Sequence, residues 1–320
     1  MLNVRNLKTV FQVGNHTVTA VDGISFEIPE RTVVGLVGES GSGKSVTSLS
    51  LLKLLANNGR IVSGSVEWKG QDILKLNDEE LRKIRGCEIG FIFQNPQASL
   101  NPVFSIGNQL IETIQIHHHV SKQEAAQRTV ALLKKVNIPD AETRMNDYPH
   151  QFSMGMCQRI MIAMTLAMQP ELLIADEPTA SLDVTIQAQI LELLDELKTG
   201  YNMSVLLISH DLGIIAQHCD TILIMYLGRI VEKGTPEQIF ENPLHPYTQA
   251  LLSSIPVPDP KKKRRPIVLK GDIPSPMRLP TGCRFHPRCP KAFDKCPLVD
   301  PPLFKKEDQH EAACLLYESS

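Results

Sequence analysis

Apolar and polar residues alternate over the first part of the chain, from residue 1 to about residue 35. The apolar side chains of this segment include Val18, Ala20, Ile24, Phe26 and Ile28, which stand at even-numbered spacings from one another. A two-residue period is typical of half-buried strands. We therefore predict an antiparallel β layer at the start of the chain.

The pattern changes at Thr32 to a strand, a glycine-rich turn and a helix. The apolar run 33–37 predicts a buried strand, and residues 45–55 predict the helix after the turn. Two more strands are predicted at 61–68 and 88–93. From about residue 96 to residue 168 the apolar residues recur every three or four positions, which predicts a helical insertion.

Short apolar runs return after the helical insertion. They lie at 172–175, 205–208 and 222–225, and helical patterns at about 184–199 and 211–218 separate them. Continuous apolar runs are typical of strands buried on both faces, and their alternation with helices predicts an α/β core with a parallel sheet. The core is predicted to span residues 1–255.

A different composition begins after Ile255. Prolines and the basic run 261–265 predict a linker over residues 256–271, and a cysteine- and proline-rich extension comes next, over residues 272–320. We expect the linker to separate this extension from the core. The basic run is interpreted as a solvated linker, with contact to anionic lipid as the alternative.

Composition narrows the class of protein. The 320 residues are 42% hydrophobic and 21% charged, as in ordinary globular proteins, and the net charge of −2 argues against a general nucleic-acid binder. No apolar run approaches the roughly 20 residues of a membrane-spanning helix. The N-terminus starts a strand at once and leaves no room for a signal peptide. We expect a cytosolic chain that reaches a membrane only through partners.

Residues Gly38–Ser45, here called the phosphate loop, fit the pattern G-x-x-x-x-G-K-[ST] between a predicted strand and a predicted helix. Glycines let the backbone wrap closely around phosphate, while backbone N–H groups and the helix N-terminus supply positive potential. Lys44 is predicted to reach the β and γ phosphates and Ser45 to ligate Mg²⁺. The flanking elements argue against a chance glycine-rich loop, so the segment predicts an ATP site.

Two carboxylates end the predicted strand at 172–175, at Asp176 and Glu177. Groups at the carboxyl edge of a parallel sheet face the crevice where ligands bind. Asp176 suits the Mg²⁺ shell, and Glu177 can polarise an attacking water as general base. A surface turn is the alternative, and the accompanying phosphate loop argues against it.

The phosphate loop, followed later in the chain by the carboxylates Asp176 and Glu177, resembles the pattern of an ATP-binding-cassette domain. Gln94 after a strand matches the Q-loop, His210 the switch histidine, and Ser181-Leu182-Asp183 the D-loop. The resemblance makes Glu177, His210 and Gln94 the catalytic residues, with Ser45 and Gln94 as Mg²⁺ ligands and Asp183 as the D-loop aspartate. It implies a nucleotide site formed by Phe11, Gly38, Ser40, Gly41, Ser42, Gly43, Lys44, Ser45 and Asp176. Phe11 would stack on adenine, although a core role is the alternative.

The segments 94–102, 148–151 and 245–247 are similar to the peptide/nickel importer branch of this family. The resemblance implies an α/β P-loop nucleotide-binding cassette that carries an antiparallel β layer, a helical insertion and a small cysteine-rich C-terminal extension. It also implies ATP hydrolysis that drives import of di- or oligopeptides, nickel or other small solutes. The expected partners are a second cassette subunit, forming a heterodimer, two integral membrane permease subunits and, indirectly, an extracytoplasmic solute-binding protein. The chain would lie at the cytoplasmic face of the membrane and bind no nucleic acid.

One motif departs from the family. The signature segment, residues 152–156, has Met154 where the family pattern Leu-Ser-Gly-Gly-Gln has its first glycine. Ser153 and Gly155 match the pattern, Met156 replaces the glutamine, and Cys157 follows in place of a basic residue. In head-to-tail cassette pairs this segment serves the partner's nucleotide, so we expect unequal ATP sites. Tolerance of Met154 by both sites is the alternative.

Four of the seven cysteines lie in the extension, at Cys283, Cys289, Cys296 and Cys314. Disulfides are not expected in a cytosolic chain, and four thiolates suit either Zn²⁺ or an iron–sulfur cluster. Zinc sites usually contain a short C-x2-C to C-x4-C knuckle, which is missing from this sequence. The resemblance favours a 4Fe–4S cluster, with Zn²⁺ and inert cysteines as alternatives. His286 and His310 are spare candidate ligands, and the run 117–119 is interpreted as an exposed helix end.

Two other functions compete with a transporter ATPase. A cassette ATPase that acts on ribosomes, DNA or cofactor assembly commonly has two cassettes or long coiled-coil insertions, and neither is predicted here. A non-catalytic regulatory subunit would bind ATP without turnover, and only Met154 favours it. The sequence therefore predicts an ATP-hydrolysing transporter subunit.

Overall fold

A computed structural model describes residues 1–118, 120–180, 182–255 and 266–318. The basic run 261–265, most of the predicted linker 256–271, Ser181 of the D-loop motif and His119 lie outside the described residues. The chain divides into two compact units. The first unit combines Met1–Lys75 with Leu207–Ser320, and the second unit is Leu76–Leu206.

Strands and helices follow the predicted alternation. The strands are β1 (Leu2–Val13), β2 (His16–Ile28), β3 (Val33–Val37), β4 (Gly59–Trp68), β5 (Gln71–Asp72), β6 (Ile89–Ile92), β7 (Leu172–Asp176), β8 (Ser204–Ser209), β9 (Thr221–Tyr226), β10 (Arg229–Gly234), β11 (Phe304–Glu307) and β12 (His310–Ala312). The helices are α1 (Lys44–Leu51), α2 (Asp78–Ile84), α3 (Pro96–Ser99), α4 (Ile106–His117), α5 (Lys122–Lys135), α6 (Ala141–Arg144), α7 (Met154–Leu166), α8 (Val184–Tyr201), α9 (Leu212–His218), α10 (Pro236–Glu241) and α11 (Pro246–Ser253). Short 3₁₀ turns lie at Ile73–Lys75, Pro149–Gln151 and Leu315–Tyr317.

The predicted antiparallel β layer is confirmed in the first unit. Its strands follow the order β2-β1-β4-β5, with Leu2 opposite both Ile28 and Trp68. These three side chains are buried, as are the other inward positions of the layer. The alternating pattern of the sequence therefore places one face of the layer in the core and leaves the other to polar residues.

A second, mixed sheet of the first unit contains the strand that leads into the phosphate loop. Strand β3 pairs in parallel with β9, while β10 pairs antiparallel with β9 on one side and with β12 on the other. All five residues of β3 are buried. Gly35 lies so close to α9 that a Cβ atom would meet Ile215 at 2.7 Å, so a larger residue would require the side chains of α9 to shift.

The second unit is mainly helical, in agreement with the predicted insertion at 96–168. Its strands β6 and β7 pair in parallel, and β7 is buried at all five positions. Serine or aspartate side chains accept backbone N–H groups at the starts of its longer helices, and these N-caps are Ser105, Ser121, Ser153 and Asp183. Across the part of the chain that the structure describes, no helix is both long enough and apolar enough to cross a membrane.

The cysteine-rich extension is not separate from the first unit, contrary to the expectation from its linker. Strand β12 pairs with β10, so that Glu232 lies opposite Ala312. The ring of Phe285 is 1% exposed and lies 5.3 Å from Tyr226 and 5.4 Å from Tyr247. A hydrogen-bonded ladder and an aromatic cluster therefore pack the extension onto the first unit.

Candidate functional site

The phosphate loop connects β3 to α1 and folds around its own lysine. Lys44 is 5% exposed, and its Nζ donates to the carbonyl of Gly38 at 2.8 Å and to that of Glu39 at 3.2 Å. Gly43 caps the start of α1 with a left-handed φ of 106°, which favours glycine. The result is a ring of backbone closed by an ammonium group, the arrangement that suits a polyphosphate.

Backbone oxygens enclose the phosphate loop. A Cβ atom on Gly38 would lie 2.2 Å from the carbonyl oxygen of Met225, and one on Gly43 would lie 2.4 Å from that of Ala20. The backbone N–H of Gly228 donates to the Ser42 carbonyl at 2.7 Å. Neither glycine position can accept a side chain without moving backbone, so the loop conformation is fixed by its surroundings.

The loop residue Glu39 has partners that the sequence analysis missed. Its backbone N–H donates to the Tyr247 hydroxyl oxygen at 3.0 Å, and its carboxylate accepts two bonds from Arg288, at 2.9 and 3.3 Å. The Glu39 carboxylate raises the pKa of the Arg288 guanidinium, and burial raises the pKa of the Tyr247 hydroxyl. Arg288 stands 249 positions from Glu39 in the sequence, and no local pattern signals the pair.

The second unit brings two predicted catalytic residues together. The side-chain amide of Gln94 donates to a carboxylate oxygen of Glu177 at 3.0 Å. Glu177 directly follows β7 with a left-handed φ of 47°, and Asp176 ends the strand at 5% exposure. The sparsely populated backbone conformation turns Glu177 away from the strand direction. An amide oriented against a carboxylate can position a water or a cation ligand at this point.

The remaining predicted residues lie on other elements. His210 is exposed and follows β8, just before Asp211 caps α9 through bonds to Gly213 and Ile214. Phe11 is half-buried, and its ring covers Gly59 so closely that a Cβ atom there would meet the ring at 2.6 Å. Part of that ring therefore lies against β4.

Asp183, the predicted D-loop aspartate, caps α8. Its carboxylate accepts the N–H of Thr185 at 3.1 Å and the N–H of Ile186 at 3.0 Å. Such a cap contributes about 1 kcal/mol to helix stability. The residue therefore has a local structural role in addition to the one that the resemblance implies.

The signature segment leads into α7. The Ser153 hydroxyl caps the helix by accepting the N–H of Met156 at 3.3 Å, and Met154 is the first helical residue and half-buried. A Cβ atom on Gly155 would lie 2.7 Å from a methyl group of Ile186, so a larger residue there would require Ile186 to shift. Met154, in contrast, occupies a position that accepts a long side chain.

The four cysteines of the extension lie within electrostatic range of one another. Burial raises the pKa of Cys283 to about 11, and the neighbouring thiols of Cys296, Cys314 and Cys289 raise it as well. Burial also raises the pKa values of Cys289 and Cys314. Within the described ranges, no group of three or more His, Cys, Asp or Glu side chains is arranged to hold a single metal ion.

The two histidines considered as spare ligands are engaged elsewhere. His310 is fully buried and its Nε2 lies 2.9 Å from the carboxylate of Glu232. The same carboxylate accepts the N–H groups of Leu244 and His245, at 2.7 and 2.9 Å. His286 lies with its Nδ1 2.9 Å from the carbonyl of Cys283. His310 therefore joins the extension to β10.

Comparison with known proteins identifies the family. A model described as "ABC transporter" matches residues 21–180, and one described as "Oligopeptide/dipeptide transporter, C-terminal region" matches residues 231–296. The oligopeptide transport ATP-binding protein AppD of Bacillus subtilis (strain 168) is 48% identical over 99% of this chain and 97% of its own length. This chain belongs to the ABC transporter family.

Other members agree with this membership. The dipeptide transport ATP-binding protein DppD of Escherichia coli (strain K12) is 45% identical over 98% of this chain and 96% of its own length. The dimeric ATP-binding cassette MJ0796, solved in a post-hydrolysis state with ADP and Pi, has 26% identity and a TM-score of 0.67. That structure covers 74% of this chain and 99% of its own. The predicted cassette fold, family and ATPase activity are confirmed.

Proposed function

We propose that this chain hydrolyses ATP to energise peptide import through a membrane permease. One observation carries the proposal: a single chain holds both the ABC transporter match at 21–180 and the oligopeptide/dipeptide match at 231–296. Relatives named for oligopeptide and for dipeptide transport align over nearly the whole chain. Di- and oligopeptides are therefore the leading substrates, and nickel or another small solute is the remaining class.

The proposed roles follow the chemistry of each side chain. Lys44 binds the β and γ phosphates, since it is the cationic group of the phosphate loop. Glu177 polarises the attacking water, and its hydrogen bond from Gln94 supports a fixed orientation of the carboxylate. Asp176 lies in the Mg²⁺ shell, and His210 contacts the transferred phosphate.

Magnesium ions prefer oxygen ligands, and two candidate ligands fit that preference. Ser45, the second residue of α1, offers a hydroxyl oxygen next to Lys44. Gln94 donates its amide N–H to Glu177, which leaves the amide carbonyl oxygen for a cation. When bound, the ion would neutralise phosphate charge as it develops.

The proposed assembly contains a second cassette subunit and two integral membrane permease subunits at the cytoplasmic face of the membrane. An extracytoplasmic binding protein acts indirectly. Large apolar side chains of the second unit are exposed within ten residues of Gln94 in the sequence, namely Phe93 at 41%, Val103 at 70% and Phe104 at 51%. Exposed apolar patches commonly mark contacts with other proteins, which supports a permease contact on this unit.

Reconstitution tests the transport function. The chain would be co-expressed with a second cassette subunit and the two permease subunits, purified as a complex and placed in liposomes. Peptide-loaded binding protein should stimulate ATP hydrolysis and accumulate peptide. Stimulation by a nickel-loaded binding protein, with none by peptide, would reassign the substrate. A complex that never forms with permease subunits would contradict the transporter role.

We also propose a 4Fe–4S cluster on Cys283, Cys289, Cys296 and Cys314. A single Zn²⁺ ion with four Zn–S bonds needs its sulfurs about 3.8 Å apart. A cluster spreads its thiolates over separate irons. Cys296 and Cys314 are buried, Cys283 and Cys289 are half-buried, and the four thiols interact with one another. In the described part of the chain no three side chains converge on a single point, so the wider spacing of a cluster fits these thiols better than zinc. When bound, it would crosslink the extension.

Metal analysis tests the cluster. Anaerobically purified protein should contain iron and acid-labile sulfide in equal amounts, with broad visible absorption. Cys289→Ser should lose most of the iron, whereas Cys219→Ser should keep it, because Cys219 is a buried cysteine outside the extension. Stoichiometric zinc without iron would overturn the proposal in favour of a structural zinc site.

A further inference from the structure

Glu39 places a negative charge inside a loop that is proposed to bind a negatively charged ligand. The pattern G-x-x-x-x-G-K-[ST] leaves this position open, so the charge is not demanded by phosphate binding. In this chain the side chain is half-buried, at 26% exposure, and Arg288 lies against it. The carboxylate would repel a triphosphate unless its charge were compensated.

Arg288 compensates the negative charge of Glu39 through two parallel contacts. Nη1 and Nη2 contact the two carboxylate oxygens of Glu39 at 2.9 and 3.3 Å, and Nη1 also donates to the Tyr226 hydroxyl at 3.4 Å. The Arg288 side chain is only 8% exposed. A bidentate guanidinium–carboxylate pair fixes direction as well as charge.

The fold of the extension sets the position of Arg288. Its backbone N–H donates to the Phe285 carbonyl at 3.0 Å, which forms a turn directly before Cys289. Phe285 anchors this turn in the cluster with Tyr226 and Tyr247. Tyr247 in turn accepts the backbone N–H of Glu39. One compact set of residues therefore holds both the side chain and the backbone of Glu39.

We infer that Arg288 is a positioning residue for ATP binding, which neutralises Glu39 and makes the phosphate loop depend on the folded extension. The inference rests on the proposed function of the loop. Arg288 contacts Glu39 and is not required to touch ATP. Loss of the extension's structure thus weakens nucleotide binding through an unpaired carboxylate in the loop.

The loss of ATP affinity on removal of Arg288 should depend on whether Glu39 is still charged. Removal of one partner leaves the other charge unpaired, whereas removal of both leaves a neutral site. Arg288→Ala in the parent chain should weaken ATP binding by about tenfold, as expected for one added charge near a polyphosphate. The same change in a Glu39→Gln background should cost less than about twofold.

Equilibrium titration of the full chain with a fluorescent ATP analogue and Mg²⁺ measures this cycle. The Arg288→Ala defect should also shrink as salt is raised, because added ions screen the carboxylate. Asp300→Ala is the matched control, since Asp300 joins the extension to Arg229 at 2.6 Å through a contact that includes neither Glu39 nor Arg288. That variant should bind the analogue as the parent does.

The outcomes separate the inference from the proposed function. Equal losses in both backgrounds, or an equal loss in Asp300→Ala, would overturn the charge argument. If Arg288→Ala fails to fold, Arg288→Lys and Arg288→Gln are compared instead. Lysine keeps the charge but loses the paired contact, so Arg288→Lys should bind the analogue more tightly than Arg288→Gln. Equal losses in these two variants would overturn the inference. Failure of the parent chain to bind, or full binding by Lys44→Ala, would instead refute the proposed ATP site.

Discussion

The phosphate loop and the signature segment both lead into a helix, but different surroundings hold them. Backbone oxygens of Met225 and Ala20 lie close to the glycines of the phosphate loop. The side chains of Tyr247 and Arg288 form hydrogen bonds with Glu39. The signature segment is capped by its own Ser153 and packs closely against Ile186 at Gly155. Contacts from several parts of the chain therefore fix the phosphate loop, whereas one helix cap and one packing contact fix the signature segment.

This difference explains which substitutions each segment accepts. A side chain at Gly38 or Gly43 would displace backbone, so the phosphate loop keeps its glycines. Met154 is the first residue of α7 and is half-buried, so the second unit accommodates a long side chain at this position. The expected role of this segment at a partner's nucleotide would add a constraint that contacts within one chain do not supply.

The largest expected effect tests the phosphate loop. Lys44→Ala should lower ATP affinity more than about a hundredfold, because the charge-assisted bonds of its ammonium group to phosphate are lost. Calorimetric titration with a non-hydrolysable ATP analogue measures the loss. Lys75→Ala is the control, since Lys75 is an exposed lysine of the same unit that pairs with Asp72. Unchanged affinity in Lys44→Ala would remove the loop from the site.

A second comparison tests whether the two ATP sites of the assembled pair are unequal. Glu177→Gln keeps ATP binding but cannot accept the proton of water, so it should remove nearly all turnover of the complex. The matching change in the partner subunit should have little effect, because we expect Met154 to slow that site by about a hundredfold, or about 3 kcal/mol. Steady-state phosphate release measures both variants. Equal losses would mean that Met154 is tolerated.

The free energy of unfolding is predicted to depend on pH through the helix that supports the phosphate loop. His245 caps α11, which carries Tyr247, and burial lowers the His245 pKa from 6.5 to about 4. Between these values the unfolded chain binds more protons, so stability present above pH 6.5 is lost as pH falls. The free energy of unfolding should drop by about 2 kcal/mol from about pH 7 to about pH 4.5 through this group.

Denaturant titration at both pH values measures that drop. His245→Asn keeps an oxygen acceptor for the N–H of Tyr247 and removes the titrating group, so its pH dependence should be shallower by the same amount. Identical pH slopes in the parent chain and the variant would show that His245 does not contribute.

The smallest expected effect concerns Met154 itself. Met154→Gly should restore the partner-facing site and raise turnover of the complex by about twofold, since two sites would then work in place of one. The gain should be much larger, in relative terms, when Glu177→Gln has silenced the other site. No gain in either background would leave the signature segment equally effective with methionine.

The sequence predicted the strands, loop and helix that carry the site better than the long-range contacts that hold them in place. The strand–loop–helix context of Lys44 and the strand before Asp176 follow from short local patterns, and the structure has both. The pair Glu39–Arg288 joins positions 249 residues apart, and its formation depends on how the whole extension packs. The basic linker suggested separation of the extension, because composition reports how a segment is solvated and not which contacts the next segment makes.

Histidine and aspartate roles were hard to predict for a related reason. His310 among cysteines resembles a metal ligand in sequence, yet it lies opposite the buried carboxylate of Glu232. Asp183 serves as a helix cap, a role that depends on where α8 begins. Side chains that suit several kinds of chemistry are assigned by their neighbours in space, which a single sequence does not contain.

The hairpin formed by β11 and β12 has a consequence for how the chain can be shortened. It covers β10, whose N–H and C=O groups would otherwise form a bare sheet edge. Uncovered edges recruit strands from other molecules and lead to aggregation. A chain truncated after residue 255 would expose that edge together with the carboxylate of Glu232, and so a minimal cassette cut at the apparent domain boundary is expected to self-associate.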